Sequence, residues 1–369
     1  MAFKAGLVIN PFAGLGGTTG LKGSDGATTV ARALQLGAQP QAHERCARAL
    51  LRLRDGDDVQ VLTVAGEMGA DVCAAAGVSA RIVAMPALEH SARDTLAACE
   101  ALLAESVDLL VFGGGDGTAR DVAQALAASA LPMLGIPCGV KMYSGVFARS
   151  PEHAGELIRR CAEGKVIYRE AELLDIDEVA SRDDRVSTRL FGYARVPADP
   201  RHLQSAKASS SDPDRAVAAE AAMFATGMQA GHVYFLGPGR TLQALARHLE
   251  GDGSLLGIDA YLDKKLICRD ANEHDLLELA ARYPAHVVVS LTGGQGCLFG
   301  RGNQQLSARL LRLIEPAHLH VLASSAKLAA LPFGQVFVDT GDPALDRQLS
   351  GFIRVHTAPG RRAMVRVVH

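Results

Sequence analysis

The first 165 residues alternate short apolar runs with helical patterns, and this alternation restricts the possible folds more than any other feature of the chain. Five apolar runs have the length and composition of buried strands: 4–10, 59–64, 81–85, 108–112 and 132–136. Parallel sheets need a crossover helix between neighbouring strands and bury both of their faces. The sequence therefore predicts a doubly wound α/β domain over residues 1–165.

The pattern changes after this domain. Residues 166–196 alternate apolar and polar side chains, which predicts antiparallel β-structure. A polar loop, 196–213, follows, and strand and helix patterns then alternate again over about 215–330. We therefore expect a β-rich C-terminal substrate domain over residues 166–369 that contains an α/β segment.

The composition limits the partners that we expect. The formal net charge is -2 and tryptophan is absent, so the chain lacks the basic field and the stacking platforms of a nucleic-acid binder. No apolar run approaches the ~20 residues that cross a bilayer. The seven cysteines include no CxxC pair, which is typical of thiols in a reducing compartment. We expect a cytoplasmic protein that binds neither nucleic acid nor membrane.

A glycine-rich turn joins the strand 108–112 to a helix that we expect to begin at Ala119. Glycine lets the backbone turn sharply and approach a ligand closely. A helix N-terminus offers free N–H groups and a partial positive charge to phosphate. The alternative is a plain tight turn, but this run has more glycine than such a turn needs. The sequence therefore predicts a nucleotide phosphate site that includes Gly113, Gly114, Gly115, Gly117 and Thr118.

Asp116 is the candidate catalytic residue of this turn. A carboxylate within a phosphate-binding turn is electrostatically unfavourable unless it has a task. It could accept a proton from an attacking hydroxyl group, or it could hold Mg²⁺. The alternative is a structural role as the N-cap of the following helix. The sequence identifies no set of metal ligands.

Two further loops follow predicted strands of the same domain. The loop that begins at Asn10 and includes Gly14 follows the first strand, and Lys141 and Ser144 follow the strand 132–136. Doubly wound folds bind ligands at the C-terminal ends of their strands. These four residues are therefore candidate contacts to phosphate or ribose, although Lys141 could equally be an ordinary surface lysine.

In the C-terminal half, a run of glycine and amide residues follows the predicted strand 286–291. Its candidate cofactor-binding residues are Gly293, Gly294, Gln295 and Gly296. So many glycine and amide groups suggest contacts to a polar ligand, and the alternative is a purely structural loop.

One histidine pair, His318 and His320, would share a face of a predicted strand. No third ligand is apparent beside the pair in the sequence. We therefore interpret it as part of an ordinary strand rather than as a zinc site.

Taken together, these motifs resemble the ATP-NAD kinase superfamily, whose GGDG turn matches Gly114-Gly115-Asp116-Gly117. The closer likeness is to the bacterial branch that contains the acetoin-catabolism X protein and predicted polyphosphate/ATP-NAD kinases. The motifs that carry this likeness run nearly from end to end: Asn10-Pro11, Lys22-Gly23-Ser24-Asp25-Gly26, Gly135-Ile136-Pro137, Leu236-Gly237-Pro238-Gly239, Gly300-Arg301-Gly302-Asn303 and Val338-Asp339-Thr340-Gly341-Asp342.

The resemblance implies an NAD kinase-like phosphotransferase with a nucleotide-binding α/β domain followed by a β-rich domain. It implies transfer of a phosphoryl group from ATP or polyphosphate, with Mg²⁺, to the 2′-hydroxyl of NAD or a related nucleotide. Asp116 matches the family's acidic residue near the accepting hydroxyl. The resemblance also implies small-molecule nucleotide partners, a role in NADP biosynthesis, and a homo-oligomer.

Three features depart from the family's pattern, one of which is that Gly293-Gly294-Gln295-Gly296 replaces the usual second glycine loop. NAD kinases hold the dinucleotide with an Asn-Glu dipeptide soon after the GGDG turn, whereas Asn272-Glu273 of this chain lies far downstream. The branch has an asparagine where this chain has Met142. A non-catalytic nucleotide-binding regulator, and a kinase of the same fold with another hydroxyl acceptor, are therefore the alternatives.

Overall fold

The computed structural model describes most of the chain, in the following ranges: 2–21, 27–53, 58–86, 91–140, 142–176, 188–199, 202–203, 215–291 and 295–369. The chain forms two compact units. The first comprises Met1–Leu15, Gly23–Gln35 and Gln39–Ala206, and the second comprises Gly16–Lys22, Leu36–Ala38 and Lys207–His369. The domain boundary that the sequence predicts at residue 165 stays a prediction.

A five-stranded parallel sheet forms the centre of the first unit. Its strands are β1 (Phe3–Ile9), β2 (Val59–Val64), β3 (Ala80–Ala84), β4 (Leu109–Gly114) and β5 (Met133–Pro137). They follow the order β3-β2-β1-β4-β5. All four pairings are parallel, and β4 and β5 are buried along their whole length. This parallel core confirms the predicted α/β fold.

Six helices are described in the first unit: α1 (Ala27–Gln35), α2 (Ala42–Leu50), α3 (Ala70–Ala76), α4 (Ala92–Ala104), α5 (Asp116–Ala125) and α6 (Pro151–Ala162). Local signals define several of their ends. Ser91 and Asp94 form a capping box at the start of α4, and Ser150 caps α6 ahead of a proline in its first turn. Helix α5 starts three residues before the predicted Ala119, because the glycine turn passes directly into the helix.

A two-stranded antiparallel ribbon also belongs to the first unit. It pairs β6 (Ile167–Ile176) with β7 (Thr188–Ala198), as the alternating pattern predicts. The connection between the two strands lies outside the described residues. Strand β6 is hydrogen-bonded to the loop that follows β5: the N–H of Gly145 donates to the carbonyl oxygen of Glu172.

The second unit contains a nine-stranded mixed sheet of the order β10-β9-β8-β11-β13-β15-β16-β14-β12. The strands are β8 (Val233–Leu236), β9 (Asp259–Leu262), β10 (Lys265–Cys268), β11 (Ala285–Val289), β12 (Cys297–Phe299), β13 (Leu319–Leu322), β14 (Gln335–Val338), β15 (Gly351–Ala358) and β16 (Arg361–Val368). Strands β8, β11, β13 and β15 run parallel. The antiparallel pairs are the hairpins β9–β10 and β15–β16 and the pair β8–β9, whose connection contains α8. This mixed sheet confirms a β-rich C-terminal region with an α/β portion.

The helices of the second unit are α7 (Arg215–Thr226), α8 (Arg240–Ala246), α9 (Glu273–Arg282), α10 (Ala308–Leu311), α11 (Ser325–Ala329) and α12 (Pro343–Leu349). The sequence patterns missed β12 and α12, which are short. Asp342 caps α12 by accepting the N–H groups of Ala344 and Leu345. Within the described ranges, none of the helices combines the length and apolar character needed to cross a bilayer.

Candidate functional site

The predicted site lies where β1 and β4 end side by side. The chain leaves β1 toward β2 on one side and leaves β4 toward β5 on the other, which makes this edge a topological switch point of the sheet. Asn10 N donates to Gly113 O at 2.9 Å. The Asn10 amide Nδ2 also donates to Thr118 Oγ1 at 3.2 Å. The fold thus brings Asn10 and the glycine turn together.

The glycines of the turn are required by packing within the protein itself. A Cβ atom on Gly113 would lie 2.3 Å from Cys46 Sγ, and one on Gly114 would lie 2.4 Å from Thr118 Cβ. Real side chains do not approach so closely, so even alanine would force the neighbouring groups to move. The structure therefore accounts for these glycines without a ligand, and their contact with phosphate stays a prediction.

The Asp116 carboxylate is turned into the loop that follows β5. Its Oδ2 accepts the N–H of Tyr143 at 2.7 Å, and its Oδ1 accepts the N–H of Ser144 at 3.1 Å. Asp116 is the first residue of α5, whereas the N-cap is Gly115. The structural alternative is therefore corrected: Asp116 does not cap its helix but ties it to a loop 27 residues further along the chain.

Burial dominates the protonation of this carboxylate. Asp116 is only 5% exposed. Burial raises the pKa of Asp116 to about 7, although the hydrogen bonds from Ser144 and Tyr143 oppose the rise. The negative charge of Asp175 adds a smaller increase to the same pKa. Such a carboxyl group can exchange a proton near neutral pH, which is what a general base requires.

Ser144 connects the Asp116 loop to the ribbon. Its hydroxyl donates to Leu174 O at 2.8 Å and accepts from Leu174 N at 3.0 Å. The side chain is buried, so a contact with phosphate or ribose would have to displace these bonds. In this structure Ser144 positions the loop, and its role as a ligand contact stays a prediction.

Ser144→Ala is expected to lower the free energy of unfolding by about 1–3 kcal/mol, because it leaves the buried N–H and C=O of Leu174 without their partner. The measurement is urea denaturation at neutral pH. Ser129→Ala is the control, since the exposed Ser129 hydroxyl accepts a single N–H from Leu131. Equal losses in the two variants would contradict a special role for Ser144.

Two more glycines let the loops of the site approach one another. Gly14 has φ +79, and a Cβ there would lie 2.1 Å from Cys138 O. A Cβ on Gly139 would lie 2.7 Å from Gly115 Cα. The three loops that follow β1, β4 and β5 thus meet backbone against backbone.

Three predicted site residues, Lys141, Gly293 and Gly294, lie outside the described residues. Gln295 and Gly296 belong to the second unit, where Gly296 has a positive φ of 65 next to β12. Their binding role stays a prediction.

The structure adds residues that sequence reasoning missed. Arg120, one helical turn after Asp116, donates to Asp175 at 2.8 Å. Below the glycine turn, the Cys46 and Cys138 sulfurs lie 3.8 Å apart and are buried. The four-residue spacing of Asp116 and Arg120 on a helix was the available signal. The partner of Arg120 in the ribbon and the partners of Asp116 in the loop after β5 could not be assigned from sequence.

The site does not fit a magnesium ion held by protein groups alone. Mg²⁺ prefers six oxygen ligands in near-octahedral geometry. Across the described ranges, no three His, Cys, Asp or Glu side chains are arranged to hold a metal. Asp116 already accepts two backbone N–H groups, and Asp175 accepts from Arg120.

Comparison with known proteins agrees with this architecture. Residues 8–166 match the ATP-NAD kinase N-terminal domain, and residues 230–367 match the ATP-NAD kinase C-terminal domain. No curated protein matches the sequence. One solved structure, UDP-GlcNAc 2-epimerase from Neisseria meningitidis bound to UDP-GlcNAc, aligns at 16% identity and TM-score 0.22. It covers 38% of this chain and 34% of that protein, and nothing about this chain follows from it.

The two domain models together span well over half of the chain, in the order that the fold requires. They define a kinase-like, nucleotide-binding phosphotransferase. The chain belongs to the ATP-NAD kinase superfamily.

Proposed function

We propose that this protein transfers a phosphoryl group from Mg²⁺-ATP to the 2′-hydroxyl of NAD or a related nucleotide, with Asp116 as the general base. The observation that carries the proposal is the buried Asp116 carboxylate within a glycine turn at the switch point of the N-terminal sheet. Membership of the superfamily supports phosphoryl transfer. The donor, the acceptor and a place in the acetoin-catabolism branch belong to the proposal.

The protonation of Asp116 suits the proposed role. Because burial raises its pKa to about 7, the group is partly ionised at neutral pH and basic enough to accept a hydroxyl proton. The carboxylate has about four acceptor positions. Two of them accept the N–H groups of Tyr143 and Ser144, and the Ser144 side chain is in hydrogen-bond contact with the carboxylate as well. We propose that a remaining position accepts the proton of the substrate hydroxyl.

The surrounding loops would supply positioning and charge stabilisation. Phosphoryl transfer needs little covalent chemistry from the protein, so catalysis rests mainly on orientation and on neutralising the transferred group. The start of α5 presents its first N–H groups beside Asp116, and we propose that they face the nucleotide phosphates together with Asn10 and Thr118.

The direct test is an assay for NADP. The purified protein is incubated with NAD and either Mg²⁺-ATP or Mg²⁺-polyphosphate, and NADP is measured with an NADP-specific dehydrogenase. NADP formation that requires a donor supports the proposal, and the two donor reactions identify the donor. Nucleotide binding by calorimetry, with no phosphorylated product from NAD, NADH or related nucleosides, would contradict it.

The pH dependence of the reaction should report on Asp116. The value of kcat/KM is expected to rise with pH through a limb at about pH 7, since Asp116 accepts a proton only when ionised. The measurement covers the range from about pH 5.5 to about pH 9 at constant ionic strength. Saturating Mg²⁺ keeps the nucleotide metal-bound. A kcat/KM that stays constant across this range would contradict the assignment of Asp116 as a general base with a raised pKa.

One observation favours a second candidate, a nucleotide-binding regulator without turnover. Both Asp116 oxygens hold the loop at Tyr143 and Ser144, which is what a structural carboxylate does. The two candidates differ in the NADP assay, because a regulator binds nucleotide without forming product.

A further inference from the structure

Five histidines of the second unit meet on one face of its sheet, and we call them the histidine row: His232, His286, His318, His320 and His356. They lie on, or directly before, β8, β11, β13 and β15, which are neighbours in the sheet. The His318-Leu319-His320 pattern that looked like an ordinary strand is therefore part of a larger cluster.

Hydrogen bonds connect three of these rings in series. His232 Nδ1 lies 2.9 Å from His286 Nε2, and His286 Nδ1 lies 3.0 Å from His320 Nε2. The His318 ring packs on His286 with 3.9 Å between centroids. His286 is also stacked on Tyr234 and is 3% exposed. The central imidazole of the row is thus enclosed by rings on several sides.

The series can form only while its rings are largely neutral. A neutral imidazole has one N–H donor and one acceptor nitrogen, so three of them can donate in one direction along the series. A protonated ring has two donors and no acceptor. If two adjacent rings were charged, an N–H would face an N–H, and the bond between them would be lost.

Helix α7 covers the row. The Phe224 ring lies 5.0 Å from the His320 ring and 5.9 Å from the His356 ring, centroid to centroid. Glu220, which is 1% exposed, accepts from His356 Nδ1 at 2.7 Å and from Arg362 at 3.1 Å. The helix therefore depends on the row for both aromatic contacts and a buried hydrogen bond, between His356 and Glu220.

We propose that the histidine row is an acid-sensitive latch that holds helix α7 on the sheet of the second unit and releases it when the row becomes protonated. Among the residues that the structure describes, the titratable and charged groups that contact the row, besides its own five members, are Tyr234 on β8, Glu220 on α7 and Arg362 on β16. Glu220 is the acidic member of this set, and it already accepts hydrogen bonds from His356 and Arg362. The other imidazoles have no carboxylate in this set to compensate a new charge.

The protonation equilibria give the direction of the effect. Burial, together with the neighbouring histidines, lowers the pKa of His286 to about 3 and that of His320 to about 4. Burial also lowers the pKa of His356, although Glu220 opposes the change. Exposed histidine has a pKa of about 6.5. The open form therefore binds more protons below about pH 6.5, and the closed form loses stability as the pH falls.

A metal-binding role does not fit the same cluster. The ring nitrogens form a hydrogen-bonded series rather than converging on one point. Within the described part of the chain, no three histidine, cysteine or acidic side chains are placed to hold a metal. Proton uptake is the chemistry that this arrangement supports.

The test uses a single tryptophan as the reporter, because the natural chain contains none. Phe224→Trp places the reporter on α7 against the row, and Tyr283→Trp places a control reporter in the same unit, at a partly buried side chain packed against the core that contains Val287 and Val321. We expect the emission of Phe224→Trp to shift to longer wavelength between about pH 6.5 and pH 4, while that of Tyr283→Trp stays constant. The steepness of the transition should correspond to about two or three protons.

Histidine variants in the Phe224→Trp background identify the protons. His286→Gln and His320→Gln should each reduce the steepness by about one proton, because glutamine can hydrogen-bond but does not titrate. His248→Gln, at an exposed histidine of the same unit, should leave it unchanged. If the reporter variant does not fold, hydrogen exchange of residues 215–226 in the natural protein replaces it. After correction for intrinsic rates, we expect these amides to exchange faster at about pH 5 than at about pH 7.5.

Three results would overturn the proposal. The first is an unchanged Phe224→Trp emission, or unchanged exchange of residues 215–226, down to about pH 4. The second is a simultaneous change of both reporters, which would mean global acid unfolding. The third is a transition whose steepness is the same in His286→Gln, His320→Gln and the parent protein.

Discussion

Asp116→Asn is expected to lower kcat for NADP formation by about 10²–10⁴-fold, the usual contribution of a general base. Asparagine has nearly the shape of aspartate and keeps one carbonyl oxygen for the N–H of Tyr143 or Ser144. Its amide group cannot accept the substrate proton. Nucleotide affinity, measured by calorimetry, should change much less than kcat, because the loss falls on the chemical step.

The same variant should change how stability depends on pH. Since burial raises the pKa of Asp116 above its unfolded value, this group stabilises the fold fully in acid and loses that contribution as the pH rises through about 7. Between about pH 5 and pH 8 the loss is on the order of 2–3 kcal/mol. Urea denaturation at the two pH values should show this loss as a change in the stability difference between the natural protein and Asp116→Asn, because the histidine row contributes equally to both proteins.

Asp71→Asn is the matched control, because Asp71 lies in the first turn of α3 in the same unit but is exposed. It should leave both kcat and the pH dependence of stability nearly unchanged. If Asp116→Asn retained full turnover, Asp116 would be a structural tie between α5 and the loop, and another group would be the base.

Gly14→Ala is expected to destabilise the first unit by about 2–4 kcal/mol and to weaken nucleotide binding. The new Cβ would lie 2.1 Å from Cys138 O, so the loop after β5 would have to move away from the glycine turn. The positive φ of 79 adds strain for any residue with a side chain. Urea denaturation and ATP calorimetry measure the two effects.

Gly37→Ala separates strain from the clash. Gly37 has the same φ, +79, but no atom lies within 4 Å of the position of its Cβ. The Gly37→Ala variant should therefore lose about 1–2 kcal/mol of unfolding free energy, the cost of the positive φ alone, and should keep its affinity for nucleotide. Equal effects in the two variants would mean that the close approach to Cys138 does not shape the site.

Much of the fold follows from local sequence signals. β2 has the predicted bounds, 59–64, because it is a largely apolar run closed by turn residues. The start of α5 was placed three residues late, since a glycine run hides the first turn of a helix. Short elements such as β12 and α12 were missed because a few residues carry too little periodicity.

The candidate site was predictable only in part. Asn10 and the glycine turn could be placed together because parallel strands end at a common edge. The direction of the Asp116 side chain could not be predicted, because the N–H groups that it binds, on Tyr143 and Ser144, are 27 and 28 residues away in sequence. The burial that raises its pKa is likewise a property of the packed loops.

The sequence by itself determined the α/β domain, the glycine turn and the candidate carboxylate, because these depend on apolar periodicity and on residue types at short spacing. Tertiary structure alone decided that Asp116 ties α5 to a distant loop, and that five scattered histidines form one row. The physical reason is the pairing of parallel strands. Strand order brings residues from distant parts of the chain within hydrogen-bond distance, and local periodicity does not encode that order.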